Sequence, residues 1–309
     1  MDNHIYDVII IGGGPAGYAS ALYTARAGFD TLVVEKFSAG GQMTQTTQID
    51  NYPGFDEGID GFTLGFKMQS SAERFGAKTM HTEVLSVNLT DKIKTVVTAD
   101  GTLLSKTVVI ATGAEHKHLG LENEENLIGK GVGYCATCDG MFYKNKTVAV
   151  VGGGNSAAAD ALFLSKICEK VILIHRRDTL KATKIYHEPL LKAENVEFIW
   201  DSVVKEILFD ETVNGLKIQN IKTEQESQIS CNGFFISIGR TPETSIFKGQ
   251  VNIDEFGYII ADETTKTNIE GVFAVGDVRT KPVRQIVTAV SDGACAAHYI
   301  EEYITTKGE

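Results

Sequence analysis

A strand, a glycine-rich turn, a small-residue helix and a second strand follow one another twice in this chain, 140 residues apart. The first copy opens with Ile5-Tyr6-Asp7-Val8-Ile9-Ile10-Ile11, an apolar, β-branched run suited to a strand buried on both faces. Gly12-Gly13-Gly14-Pro15-Ala16-Gly17 comes next, then the alanine-rich stretch Tyr18 to Gly28, then Thr31 to Val34 ending at Glu35. In the second copy Lys146 to Val151 leads into Gly152-Gly153-Gly154-Asn155-Ser156-Ala157. The pattern there predicts a helix from Ser156 to about Cys168 and a strand over Val171 to Ile174. Two such units commit the chain to an α/β fold with two Rossmann-like, parallel-sheet domains.

The glycine spacing has physical reasons. Gly12 permits a tight turn, Gly14 lets backbone approach a pyrophosphate, and Gly17 lets helix and strand pack closely. Gly152, Gly154 and Ala157 occupy the matching positions. A pyrophosphate would sit on each helix N-terminus, where free N–H groups and the dipole favour an anion. Glu35, 21 residues past Gly14, is placed to accept from ribose hydroxyls. In the same register the second copy has His175-Arg176-Arg177. A carboxylate there would repel a 2′-phosphate and guanidinium groups would grip it, so the first site should take a nucleotide with free ribose hydroxyls and the second should prefer NADPH.

The halves also end alike. Thr107 to Gly113 and Gly233 to Arg240 are apolar strands stopped by glycine, and alternating segments such as Val84 to Leu89 and Lys94 to Thr98 suggest a small antiparallel layer between. After Pro242 there is no third phosphate loop, but Gly271-Val272-Phe273-Ala274-Val275-Gly276-Asp277 reads as a short strand ending at Gly-Asp. The expected organisation is one domain from residues 1–113 and 245–309, with the second, residues 114–244, inserted into it.

The insertion carries Cys135-Ala136-Thr137-Cys138-Asp139-Gly140. A bridge between these thiols closes a loop of four residues, and chain-entropy stabilisation from so short a loop is small. Its expected use is thiol–disulfide exchange, with one thiol helping to ionise the other. Cys168, Cys231 and Cys295 are isolated, so five cysteines in 309 residues make no disulfide framework and point to a reducing compartment. Zinc fits poorly: His116 and His118 are spaced as H-x-H, and there is no second C-x-x-C. A net charge of −11 argues against nucleic acid or an anionic membrane as partner. Met1-Asp2-Asn3-His4 has no basic n-region, so no signal peptide is expected. Val8 to Ala25 is uncharged over 18 residues, but its glycines and Pro15 suit a strand and turn better than a membrane helix.

The chain resembles the low-molecular-weight, bacterial-type thioredoxin reductases over nearly its full length. The motifs that carry the resemblance are Gly12 to Gly17, Gly40-Gly41-Gln42, Ala111-Thr112-Gly113, Cys135 to Gly140, Gly152 to Ala157, His175-Arg176-Arg177, Gly276-Asp277, and Arg284-Gln285 with Thr288-Ala289. The resemblance implies FAD in the first site, NADPH in the second, a cytoplasmic homodimer and thioredoxin as the disulfide substrate. It implies three-layer ββα domains and a rotation between them about linkers near Gly113 to Lys117 and Gly239 to Thr244. It assigns Cys138 as the sulfur nearest the flavin, Cys135 as the attacking sulfur, and Asp139 as the acid and base serving the leaving thiolate. On the FAD side it adds Gly41, Gln42, Asn51, Ala111, Thr112, Gly113, Gly276, Arg284 and Ile286. Asp277 would bind the ribitol, and Gln285 would open a helix whose positive end faces the flavin N1 and C2 oxygen. On the NADPH side it implies Asn155 and Ser156 as well as the basic cluster.

Two departures bear on the transfer. The family's third arginine is Lys181 here, which keeps the charge but not the bidentate fork. Cys295, in the C-terminal helix, reads as a small core residue. The larger flavin disulfide reductases carry their cysteine pair about 30 residues after the first glycine loop, and Gly40 to Phe55 here contains no cysteine. The rival readings are a flavin–dithiol enzyme acting on another disulfide or a small dithiol, one fed by ferredoxin, and a redox sensor.

Overall fold

The computed structural model describes residues 4–46 and 48–307; Met1 to Asn3, part of the start read above for a leader, lie outside them. The chain divides into two compact units, Met1–Glu115 with Thr241–Glu309, and His116–Arg240. The crossings fall at 115/116 and 240/241, where 113/114 and 244/245 were expected.

The first unit opens with β1 (Ile5–Ile11), α1 (Pro15–Arg26) and β2 (Thr31–Glu35). α2 (Gly61–Glu73), β3 (Lys78–His81), β4 (Val84–Asn88), β5 (Lys94–Thr98) and β6 (Gly101–Ile110) follow. Its sheet runs β3-β2-β1-β6-β5-β4. β1 pairs in parallel with β2, Val8 opposite Thr31, and with β6, Ile11 opposite Ile110. The alternation along β1 feeds two cores. Val8 and Ile10 pack with Tyr18 and Ala21 of α1. Ile9 and Ile11 pack on the other face with Leu89 and Phe247. Each such buried side chain stabilises the fold by roughly 2 kcal/mol. The segments expected as a separate antiparallel layer, β4 and β5, instead extend this sheet. β6 is ten residues long, so Gly101 to Ser105 pair with β5 on one side while Leu104 to Ile110 pair with β1 on the other.

β7 (Ala114–His116) is the outgoing connection. The second unit then holds β8 (Val132–Gly133), α3 (Ala136–Asp139), β9 (Thr147–Val151), α4 (Asn155–Ser165) and β10 (Lys170–Ile174). After these come α5 (His187–Lys192), β11 (Val196–Ile199), β12 (Ser202–Phe209), β13 (Val213–Asn220), β14 (Glu226–Ser230) and β15 (Gly233–Ile236). A parallel sheet runs β11-β10-β9-β15-β8, and β12-β13-β14 form an antiparallel meander. β9 repeats the logic of β1: Val148 and Val150 pack with Ala157, Ala158 and Ala161 of α4. Ala149 and Val151 face Leu216 and Ile218 of the meander. α4 stops at Ser165, short of the expected Cys168. The Asn195 side-chain amide donates to the Ser165 and Cys168 carbonyls, taking up acceptors that a longer helix would satisfy internally.

β16 (Arg240–Pro242) returns alongside β7, and β17 (Val272–Ala274) adds in parallel to β6, Val272 opposite Val108. α6 (Ile286–Lys307) then packs on α1. Among the described residues no helix is long and apolar enough to cross a membrane.

Candidate active site

In the first unit the glycine turn is shaped by close approaches. Gly12 has φ +107°, and a Cβ there would lie 2.5 Å from the Ala111 carbonyl oxygen. A Cβ at Gly17 would lie 2.0 Å from the Gly12 oxygen, but one at Gly14 meets nothing within 4 Å. The open space is thus over Gly14, where α1 begins with Pro15 in its first turn and no side-chain cap. Its first N–H groups are left for a ligand. Glu35, at the end of β2, accepts from the Gly13 N–H at 2.6 Å and the Phe37 N–H at 3.0 Å. It therefore braces the loop and still has lone pairs free to accept from a further donor.

Of the other predicted residues of this unit, Gly41 and Gly276 approach the same turn, and the rest make contacts of their own. The Gly40 N–H donates to the Gly13 oxygen at 2.8 Å, and a Cβ on Gly41 would come within 3.4 Å of Gly14, which sets Gly41 and Gln42 beside the loop. A Cβ on Gly276 would lie 2.9 Å from that of Ala16, which sets Gly276 and Asp277 at the start of α1. Asn51 Nδ2 donates to Gln285 Oε1 at 3.1 Å, and Ile286 packs against Met43, Ile49 and Leu64. Arg284 lies over the Tyr258 ring at 4.1 Å, with its Nε buried and unpartnered. The Thr112 hydroxyl donates to the Glu243 carbonyl at 2.6 Å, tying the end of β6 to the returning chain. An uncapped helix start, a clear space over one glycine and an orphaned cationic donor fit an anionic dinucleotide.

The second unit repeats the arrangement with one exchange. Gly152 has φ +149°, and a Cβ there would lie 2.3 Å from the Ser237 oxygen; Gly154 has open space and again caps its helix without a side-chain bond. Where Glu35 meets Gly13, the His175 ring lies against Gly153, so close that a Cβ on Gly153 would fall 2.1 Å from it. Burial, then the charges of Arg176, Arg177 and Lys181, hold His175 below its usual range, so it stands neutral, with a buried and unpartnered Nε2. The Lys181 N–H donates to the Gly153 oxygen at 2.7 Å, and Asn155 Oδ1 accepts from Thr183 N–H at 2.7 Å. Arg176 and Arg177 are exposed at the end of β10 beside this loop, and Ser156 is exposed at the start of α4.

The dithiol follows β8, an edge strand parallel to β15. Cys135 and Cys138 are joined as a disulfide, with the Cys138 and Asp139 N–H groups both donating to the Cys135 oxygen at 3.1 Å. β8, β9 and β10 are parallel members of one sheet, so the disulfide, the second glycine loop and the basic cluster all leave from the same, carboxyl, edge. That edge is where open α/β sheets bind ligands. Burial pushes Asp139 up to about 6. Its neighbour Tyr143 is raised to about 12, by burial first and the Asp139 charge second. Among the described residues no cluster of three or more His, Cys, Asp or Glu side chains could hold a metal.

Three groupings are not visible in the sequence. The Tyr134 hydroxyl, next to Cys135, donates to buried Glu124 at 2.6 Å and lies 2.8 Å from His118 Nδ1, with His116 stacked on the ring. Ser237 donates to Asp160 across 77 residues of sequence. Asp292 gathers Arg279 and Lys281 under the Gly276 turn. Cys295, expected in the core, is only partly buried.

Known proteins share this arrangement. The family model described as pyridine nucleotide-disulphide oxidoreductase matches residues 6–293. A thioredoxin reductase of Streptomyces coelicolor is 45% identical over 303 residues, 97% of this chain and 94% of that protein. One from Listeria monocytogenes is 45% identical over 98% of this chain and 95% of its own. The crystal structure of the thioredoxin reductase from Streptococcus pyogenes superimposes with a TM-score of 0.93 at 42% identity, covering 99% of this chain and 100% of that one. With two glycine-loop sites and a C-x-x-C disulfide in the expected order, matched along almost all of its length, the chain belongs to the pyridine nucleotide-disulphide oxidoreductase family.

Proposed function

We propose that this protein is a thioredoxin reductase, a flavoprotein that moves electrons from NADPH through FAD and the Cys135–Cys138 pair to the disulfide of thioredoxin. The observation that carries this reading is the disulfide on the same sheet edge as a basic dinucleotide loop. FAD, when bound, supplies the step from two-electron hydride chemistry to disulfide reduction. The first unit, residues 1–113 and 245–309 in outline, would hold it. Gly12, Gly14, Pro15, Ala16 and Gly17 take the pyrophosphate, Glu35 the ribose, Asp277 the ribitol, and Gln285 with α6 the ring. The second unit, 114–244, would hold NADPH on Gly152 to Ala157, with Arg176, Arg177 and Lys181 on the 2′-phosphate. Cys138 would be the sulfur that exchanges electrons with the flavin; Cys135, as thiolate, would attack the partner disulfide, forming a mixed disulfide that Cys138 resolves. Asp139 gives the departing thiolate its proton.

Asp139 also sets a pH dependence. With its carboxyl raised to about 6, the proton-donating form exists below that value and is lost as pH rises through it. The proton-requiring step should therefore slow above about pH 6, and Asp139→Asn should remove that limb and lower turnover by about 10²-fold or more. Rapid-mixing traces across pH 5–8 check both; a limb that persists in the variant removes Asp139 from the role.

Phe62 and Phe66, one turn apart on α2, are 57% and 59% exposed, which supports association into a homodimer, tested by sedimentation of the holoenzyme. Three free cysteines support a reducing, cytoplasmic location. The deciding experiment is an anaerobic titration of the yellow protein with NADPH and, separately, NADH. NADPH should bleach the flavin, and Arg176→Ala with Arg177→Ala should raise its KM by about 10²-fold while leaving that for NADH nearly unchanged. A flavin that NADPH never bleaches would turn attention to ferredoxin or to a sensor role.

A further inference from the structure

Two glycines on neighbouring strands leave recesses on one face of the second unit's sheet. In β15, Gly233 and Phe235 are two residues apart and so share a face, and Phe235 lies opposite Gly133 of β8. A Cβ on Gly233 would lie 2.5 Å from the Tyr143 ring, and that ring meets Phe235 edge-on with centres 5.4 Å apart. A Cβ on Gly133 would lie 3.1 Å from the Phe235 ring and 3.2 Å from Asp139 Oδ2. The missing side chains are replaced by an aromatic ring at one glycine and by a carboxyl at the other, with Phe235, 1% exposed, adjoining both.

The recess at Gly133 holds Asp139 beside the disulfide. Gly133 is two residues before Cys135, Asp139 follows Cys138, and the Asp139 N–H donates to the Cys135 oxygen. The turn that follows is fixed on α4, where a Cβ on Gly140 would lie 3.0 Å from Leu164 and 3.1 Å from Phe163. Among the described residues no donor bonds the Asp139 carboxyl, and burial alone raises it. Tyr143, and Cys231 beyond it, are each raised to about 12 by burial first, so both keep their protons at neutral pH and bring no charge. Lys146 Nζ lies 5.9 Å from the centre of the Tyr143 ring. The carboxyl therefore keeps a proton only as far as water is kept from it. Phe235 is the deep part of the wall, and Tyr143, itself partly buried, is the part that borders solvent.

We propose that Tyr143 is a positioning residue for Asp139: its ring, seated on Gly233 and edge-on to Phe235, closes the recess to water and so stores a proton next to the disulfide. The inference rests on the reading of Asp139 as the acid of the thioredoxin step. In that step Cys138, as thiolate, attacks the Cys135 sulfur of the mixed disulfide. The Cys135–Cys138 bond forms as the bond to the partner sulfur breaks, and the departing partner thiolate takes the Asp139 proton. A wetter recess would have released that proton beforehand.

The test labels aspartate with ¹³C in the holoenzyme and follows the carboxyl signals by NMR across pH 4–8, with Asp139→Asn identifying the signal of this residue. Its midpoint should fall at about 6 in the parent. Tyr143→Ser, which admits water, should lower the midpoint by about one pH unit, a tenfold loss of proton affinity, and move the falling limb of the proton-requiring step down by the same amount. Tyr143→Phe, which keeps the ring, should stay within about 0.3 of a unit of the parent. Phe235→Leu thins the wall from inside and keeps it apolar; it should lower the midpoint by about half a unit, and it carries the test where Tyr143→Ser does not fold. A parent midpoint at about 4, the ordinary value, overturns the proposal. So does a midpoint that stays put when the wall is opened, or one that falls as far in Tyr143→Phe as in Tyr143→Ser, which would assign the effect to the hydroxyl. A midpoint that responds as expected in a protein unable to reduce thioredoxin keeps the recess and removes the reductase reading instead.

Discussion

Cys138→Ser should abolish turnover with thioredoxin, by about three orders of magnitude or more, while the protein stays yellow. About two electron pairs should enter the parent subunit and one the variant, because the flavin still fills and the disulfide no longer exists. No other thiol seen in this unit can stand in. Burial pushes Cys231 up to about 12 and Cys168 up to about 11, so at neutral pH roughly one molecule in 10⁴ or fewer carries either thiolate. Both are also buried, out of reach of a protein substrate. Stopped-flow bleaching with thiol counting gives the two numbers. Equal uptake in parent and variant would mean that flavin and dithiol are not in series.

Gly17→Ala should be the most damaging change in the first unit. The new methyl would fall 2.0 Å from the Gly12 carbonyl oxygen, and neither side can yield: Gly12 is itself held at φ +107° against Ala111, and α1 is packed on α6. Overpacking of this kind costs roughly 3 kcal/mol, which lowers the melting temperature of a unit this size by about 6–12 °C. FAD should be lost as well. Gly14→Ala is the contrast, since its Cβ meets nothing and its φ of −76° suits any residue. That variant should melt within about 0.5 kcal/mol of the parent apoprotein yet bind FAD poorly, because the methyl occupies the space left for the pyrophosphate. Calorimetry with and without FAD separates the two; equal melting of the apoproteins would show that the loop adjusts.

The glycine turns were legible because each glycine answers a steric demand that repeats at the same spacing. The register between Glu35 and His175 holds in three dimensions too, one on Gly13 and the other on Gly153. What could not be read depends on partners far apart in the chain. Nothing local marks Glu124 as the acceptor for Tyr134, or Ser237 as the donor to Asp160. Arg279, Lys281 and Asp292 look like solvated charges until the fold removes water from around them. The end of α4 was misplaced for the same reason, since Asn195, 30 residues past Ser165, takes its last carbonyl. β4 and β5 read as a layer of their own because sequence does not show that one ten-residue strand will pair on both sides.

The late arrival of β17 has a consequence for how the protein is made. A chain leaving the ribosome exposes residues 116–240 as an uninterrupted stretch, able to collapse as soon as it emerges. The first unit cannot do the same. β6 lacks its neighbour β17, and α1 lacks the cover of α6, until more than 150 further residues have been synthesised. For that interval the face of α1 that α6 will cover and one side of β6 stand open, so the nascent protein carries a finished domain and an unfinished one together. The unfinished one is where chaperones would bind and where a stalled or clipped chain would begin to aggregate.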